Sequence, residues 1–275
     1  MPELDANGIR VSYDVQGEGP PVVMIAGRGM PREWWSEDHT GPYIDAGYQV
    51  LRFDNRGMPP SECPREPFAV ADLVADAAAL LDGLELGPCV VVGHSMGGCI
   101  AQELAAARPD LVRGAAMIAT ITRHPGWAGV FHRGMIELFE SGADVPPELL
   151  VGTLLGQLYN PAQLSDDSHV MPFAEEMLDQ PPWEDPGRVG QWRAYAQYEA
   201  DLESLAAVEA PSLVVAFERD LIMPPRLARE VADAIPACRY VELSGLGHWG
   251  MVLDPTRVHG IVVEFLRDAG VAPAT

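Results

Sequence analysis

Ser95 stands in Gly93-His94-Ser95-Met96-Gly97, after the apolar run Cys89-Val90-Val91-Val92 and before an amphipathic stretch over 96–108. Glycines two residues to either side of a serine mark a strand-to-helix turn too tight for neighbouring β-carbons. Such a turn lifts the hydroxyl above the end of a sheet, where the first amides of the helix face it. Serine at its ordinary pKa is a weak nucleophile, so this chemistry demands a base, and the base demands an acid to orient it. Seven histidines compete for the first role. His39, His124, His132, His169 and His259 fall on expected loops, on a helical insertion or on the last helix, and the ring of His94 is expected to turn away from its neighbour Ser95. His248 differs, because Ser244-Gly245-Leu246-Gly247-His248-Trp249-Gly250 follows the last apolar run and precedes the helix start Asp254-Pro255. For the acid, Asp220 lies three residues beyond the run 211–217, ahead of Pro224, with Glu218, Asp54 and Asp254 as rivals.

These residues need elements to hold them. Residues 9–15 alternate and lead into Gln16-Gly17-Glu18-Gly19-Pro20, a hairpin-like opening. Short apolar runs at 21–27, 48–54, 88–94, 114–120, 211–217 and 238–244 lack alternation and predict strands covered on both faces. Helical spacing over 70–83, 96–108, 225–235 and 255–268 alternates with them, which predicts a parallel sheet between helices. The interval 121–207 breaks the rhythm with helices at 126–141, 147–159, 169–179 and 187–206, cut by prolines. It is too long for a crossover and predicts a helical insertion set on the sheet. Trp127, Phe131, Tyr159, Phe173, Trp183, Trp192, Tyr195 and Tyr198 lie in it. Most are expected to pack the insertion down and a few to line a cavity.

Composition narrows the function. The 275 residues can bury a sizeable core, and 48 % are hydrophobic, which excludes disorder and coiled coil. The net charge is −22, and every one of the 18 bases is arginine. Without lysine there is no Schiff-base lysine and no phosphate-cradling lysine of the Walker type. The negative field disfavours nucleic acid and anionic membrane, and also polyanionic thioesters or acidic carrier proteins unless a local arginine intervenes. No apolar run approaches the ~18–20 residues of a membrane span. The N-terminal segment has neither a basic nor an apolar leader region, so the expectation is a cytoplasmic protein. Cys63, Cys89, Cys99 and Cys238 have no metal-ligand spacing and are expected as reduced thiols. Neither metal nor cofactor is implied, and monomer and homodimer both stay open.

With this serine elbow, the late acid and the later histidine, the chain resembles the α/β-hydrolase superfamily, in its lidded esterase, haloperoxidase-like and thioesterase branch. The resemblance covers about residues 5–120 and 208–268. It implies a mostly parallel eight-stranded sheet flanked by helices, with a core of 1–120 and 208–275 and a helical lid at 121–207. The order Ser95, Asp220, His248 is the one that class uses. Asp54-Asn55-Arg56-Gly57 is similar to the family's turn after the fourth strand, although Met58, Pro59 and Pro60 precede Ser61, and Asp54 and Arg56 are expected to tie loops together. The family's His-Gly loop is here Ala26-Gly27-Arg28-Gly29. It implies an oxyanion hole made of the backbone N–H groups of Arg28 and Met96. The arginine side chain is unusual there, and either points outward or reaches into the cleft to read an acidic or carbonyl-rich substrate. Gly27, Trp127, Phe131, Trp192 and Trp249 are the expected pocket residues. The reading is a cofactor-free serine hydrolase for a small, largely apolar ester, lactone or thioester. The high-GC-like composition suits a tailoring step in natural-product biosynthesis. A lyase or cyclase using the same Ser–His pair and a slow-turnover ligand receptor are the alternatives.

Overall fold

The computed structural model describes residues 2–179 and 186–273. Its first turn is Asn7-Gly8, with φ of 49° and 77°. Positive φ at both central residues is what a tight two-residue hairpin requires, and Asn-Gly supplies it at least strain. The turn joins β1 (Glu3–Ala6) to β2 (Ile9–Gln16) in antiparallel pairing. Sequence reading began the sheet at residue 9, because four residues are too few for alternation to show.

The other strands are β3 (Pro21–Ile25), β4 (Gln49–Phe53), β5 (Cys89–His94), β6 (Val112–Ile118), β7 (Ser212–Phe217) and β8 (Arg239–Leu243). They form one eight-stranded sheet in the order β1-β2-β4-β3-β5-β6-β7-β8, antiparallel for β1–β2 and β2–β4 and parallel elsewhere. All six residues of β5 and of β7 are buried, as expected of strands covered on both faces. After β3 the chain moves to β4 on one side, and it later returns to lay β5 on the other. That reversal opens a crevice at the carboxyl ends of β3 and β5, the usual place for a ligand in an open parallel sheet.

Helices α1 (Glu37–Asp45), α2 (Val70–Gly83) and α3 (Met96–Ala107) belong to the first half. Sequence reading assigned nothing to α1, whose Gly41-Pro42 interior disguises it. The interval 121–207 holds α4 (Gly126–Ser141), α5 (Pro147–Leu158), α6 (Pro161–Leu164), α7 (Asp167–Asp179), α8 (Pro186–Ala196) and α9 (Leu202–Leu205), with one isolated bridge, Arg123–Glu199. The single helix expected over 187–206 is therefore two. The Ala200 amide leaves the helical ladder to donate to the Thr122 carbonyl (2.7 Å), and Asp201 caps α9 through the Glu203 amide (3.0 Å). The chain closes with α10 (Pro225–Ala234), α11 (Gly250–Leu253) and α12 (Pro255–Asp268). Helix α1 packs on α12, while α2, α3, α9 and α10 make a second contiguous group. No helix among the described residues is long and apolar enough to cross a membrane.

Candidate active site

Ser95 joins β5 to α3 with φ 58° and ψ −124°, a left-handed conformation that stores about 1–3 kcal/mol in a residue with a side chain. The surrounding glycines are a steric necessity. A β-carbon on Gly93 would lie 2.0 Å from the Gly97 carbonyl oxygen, and one on Gly97 would lie 2.0 Å from the Ile25 carbonyl oxygen. The Ser95 amide donates to the Ile118 carbonyl (3.0 Å), which ties the elbow to β6.

His248 is brought to this serine by the loop after β8. Its Nε2 is 3.0 Å from Ser95 Oγ, and its Nδ1 is 2.7 Å from Asp220 Oδ2. A carboxylate can only accept, so Nδ1 carries the proton and Nε2 is left to accept from the serine hydroxyl. The other Asp220 oxygen accepts from the amides of Ile222 (2.9 Å) and Met223 (2.7 Å), so the carboxylate is held at both ends. All three residues are buried. The rival acids are committed elsewhere. Glu218 accepts from the Gly245 amide (2.7 Å), Asp254 accepts from the Arg257 amide at the start of α12 (3.3 Å), and Asp54 is bound to Arg32. The His248 loop is also pinned from above, by Asn160 Nδ2 donating to the Gly245 carbonyl and by the Trp249 amide donating to the Leu158 carbonyl.

Above the elbow lies the Gly27–Arg28 turn. A β-carbon on Gly27 would sit 3.2 Å from Ser95 Cβ and 3.4 Å from the His94 carbonyl oxygen, a tight fit that would press on the elbow. The turn is steadied by two residues that sequence reading did not single out. Asn55 Nδ2 donates to the Ala26 carbonyl (3.2 Å), and Gln191, fully buried on α8, accepts from the Gly29 amide (2.7 Å) while donating to the Arg56 carbonyl (2.8 Å). These bonds hold the turn where the family's His-Gly loop has its histidine. Asn55 stood inside a recognisable turn, whereas Gln191 lies 162 residues from its partner and carries no local signal. The expected roles of Asp54 and Arg56 as loop ties agree with the geometry: Arg32 donates to Asp54, and Arg56 to Asp76 on α2.

A cavity of about 550 Å³ opens over Ser95 and His248. Gly27, Arg28, Trp127, Phe131, Trp192 and Trp249 all line it. Trp183 lies outside the described residues. His94 corrects an expectation: instead of turning away it lines the cavity, with its ring 5.2 Å from that of His248 and stacked 5.0 Å from Trp34. The apolar Trp34 face makes that position favourable, and burial holds the His94 ring far below its ordinary pKa. Arg28 turns its guanidinium inward, 3.3 Å from the Trp192 ring centroid and 6.0 Å from that of Tyr195. Burial lowers it to about 10. Cys63, Cys89, Cys99 and Cys238 are free thiols, and no cluster of metal-ligating side chains occurs among the described residues.

Comparison with known proteins places this geometry. A family model described as the alpha/beta hydrolase fold matches residues 20–255. A Mycobacterium tuberculosis H37Rv protein with the provisional name non-heme bromoperoxidase BpoC is 36 % identical, over 94 % of this chain and 97 % of its own. Its crystal structure superposes with a TM-score of 0.88 over 94 % of this chain and 96 % of that one. A protein of Pseudomonas savastanoi pv. phaseolicola with the provisional name carbamate hydrolase RutD is 27 % identical over 91 % of this chain and 95 % of its own. The enol-lactonase of Burkholderia xenovorans LB400 shares the fold, with a TM-score of 0.82 at 24 % identity over 97 % of this chain and all of that one.

Proposed function

Because the chain belongs to the alpha/beta hydrolase fold family, we propose that it is a serine hydrolase in which Ser95, His248 and Asp220 form the catalytic triad. The observation that carries this reading is the unbroken relay from Asp220 Oδ2 through both nitrogens of His248 to Ser95 Oγ, at 2.7 and 3.0 Å, with Ser95 and His248 lining the cavity. Ser95 Oγ attacks the acyl carbon while His248 Nε2 takes its proton, and Asp220 stabilises the imidazolium. The oxyanion that forms is received by the N–H groups of Arg28 and Met96. Each such donor is worth about 2.7–4 kcal/mol of barrier. Met96 begins α3, where the amide has no intrahelical acceptor. His248 returns the proton to the leaving alcohol or thiol, and water repeats the sequence on the acyl-enzyme.

In this reading residues 121–207 serve as a lid, and the substrate is a small, largely apolar ester, lactone or thioester. Apolar side chains of α4, α5 and α8 dominate the cavity wall, which supports an apolar acyl body. Replacing Phe131 or Trp127 by alanine is therefore expected to shift the preferred acyl chain length more than it changes the rate on an acetyl ester. A loss of thermal stability with unchanged selectivity would assign these rings to packing alone. The bromoperoxidase name of the 36 % identical relative favours a second use of the same acyl-enzyme, its capture by hydrogen peroxide instead of water.

The test is intact-mass spectrometry after exposure to a fluorophosphonate and to a panel of activated esters, lactones, thioesters and carbamates. One adduct, mapped to Ser95, is expected. Labelling at any other residue, or none at all, would refute the assignment.

A further inference from the structure

Among the described residues two arginines are buried, Arg32 and Arg56, and both are matched to carboxylates. Arg32, 1 % exposed, contacts Asp14 and Asp54, and Arg56 contacts Asp76. Arg28 is part-buried and faces the cavity: its Nε and Nη1 are buried without any hydrogen-bond partner, although the chain has 40 acidic residues to draw on, whereas Arg113, also without a carboxylate, at least donates to the Val271 carbonyl. Guanidinium nitrogens buried without a counter-charge are disfavoured, and stacking on an aromatic ring offsets only part of the loss. The neighbourhood repeats the imbalance. Trp192 Nε1, on the ring that Arg28 covers, and His132 Nδ1, on a ring 5.3 Å from Trp192, are also buried without a partner. Burial and the nearby positive charge hold His132 down at about 3, so it is neutral, while Arg28 at about 10 is cationic. Arg28, His132 and Trp192 all line the cavity that contains Ser95 and His248. What this corner lacks is an acceptor, and an anionic one fits best.

We infer that the Arg28 guanidinium is a subsite for a carboxylate on the substrate, placed by the loop that also covers Ser95. This deepens the serine-hydrolase reading and rests on it. One residue would then serve two parts of one molecule, its amide at the scissile carbonyl and its side chain at a carboxylate a few bonds away. The substrate class is accordingly a half-ester or half-thioester of a short dicarboxylic acid, or a lactone bearing a free carboxyl, with its apolar remainder along the walls of α4 and α5. The field of a protein with net charge −22 repels anions in general, so a local cation is what would admit one.

The test compares phenyl hydrogen glutarate with its neutral carboxamide twin as substrates. The slowly reacting anilide of glutaric acid and the carboxamide twin of that anilide serve as ligands in calorimetric titration. Wild-type protein is expected to prefer the carboxylate in both assays. Truncating a desolvated charge pair leads to the expectation that Arg28→Ala lowers the acid-to-amide ratio of kcat/KM by about thirtyfold or more. Arg28→Lys is expected to recover part of that ratio, as a point charge without the planar fork. Equal losses on both twins, or wild-type protein that binds the carboxamide as tightly as the carboxylate, would overturn the inference and leave Arg28 as a packing residue. The wild-type arm needs no variant to fold. The calorimetric arm also separates the two readings, because carboxylate-selective binding without fluorophosphonate labelling would keep the subsite and reject the triad.

Discussion

Ser95→Ala is expected to lose about 10⁶ in kcat and Asp220→Asn about 10⁴, magnitudes taken from serine proteases that use the same relay. Both variants are expected to melt within a few degrees of the parent. The aspartate case follows from hydrogen-bond geometry. Asparagine can keep the bonds from the Ile222 and Met223 amides through its carbonyl oxygen, but it then turns an NH₂ group toward His248 Nδ1. Two donors cannot face each other, so the imidazole moves its proton to Nε2, the atom 3.0 Å from Ser95 Oγ. A protonated Nε2 cannot accept from the serine, and catalysis falls while the fold stands. The double variant Ser95→Ala/His248→Ala is expected to be no slower than Ser95→Ala alone, because residues that act as a unit are not additive. A loss below tenfold in Asp220→Asn, together with inactivation by Glu218→Gln, would move the acid to Glu218. The bond from the Gly245 amide to Glu218 argues that its removal instead loosens the His248 loop.

The parts of this arrangement that could be read from the sequence are those set by short-range sterics. Gly93 has to be glycine because the Gly97 carbonyl oxygen stands 2.0 Å from where its β-carbon would be, a constraint written within five residues, while Gly97 answers to the Ile25 carbonyl of β3 and is legible only through the five-residue motif. The inner strands β3, β4, β5, β6 and β7 announced themselves because burial leaves a largely apolar run, whereas β8, expected to be covered on both faces, is a sheet edge with only Leu243 fully buried. Features decided by distant packing were not legible. Whether Arg28 turns inward depends on Trp192, 164 positions along the chain, and the brace on its loop depends on Gln191 of the same helix. His94 was misjudged because the sequence does not reveal that Trp34 offers it an apolar face beside His248. The Asn7-Gly8 turn was legible in principle, and β1 went unassigned only because its partner stretch is four residues long.

The burial of histidine leads to a marked loss of stability just below neutral pH. His39 is held at about 4, and His132 and His259 at about 3, each mainly by burial; His94 is depressed further. His259 accepts or donates to His39 (2.9 Å) and to Tyr43 (3.0 Å), a set of contacts that suits neutral rings. In the unfolded chain all four would titrate near 6.5. Between that value and the folded-state values, the unfolded state binds more protons than the native state, so stability is fully present above about pH 6.5 and falls as the pH drops. Each ring contributes a slope of about 1.4 kcal/mol per pH unit, and native domains have only about 5–15 kcal/mol in total. Asp54 acts in the opposite sense, since burial raises it to about 6 despite Arg32, and protonating it favours the native state as the pH falls from there toward 3.8. Shrinkage of the net charge of −22 also relieves self-repulsion, chiefly below pH 5 where the surface carboxylates titrate. His124 is depressed in the same way, and burial raises Asp76 and Glu103 as it does Asp54, so five histidines stand against three carboxyl groups and the balance is a net loss of stability by about pH 5.5. Urea titrations from pH 8 to pH 5 are expected to give a plateau above pH 7 and a steep fall beneath 6.5. His132→Phe, which removes one of these rings, is expected to flatten that fall by about one proton's slope. A urea midpoint that stayed level down to pH 5 would mean that these rings accept protons without leaving their sites.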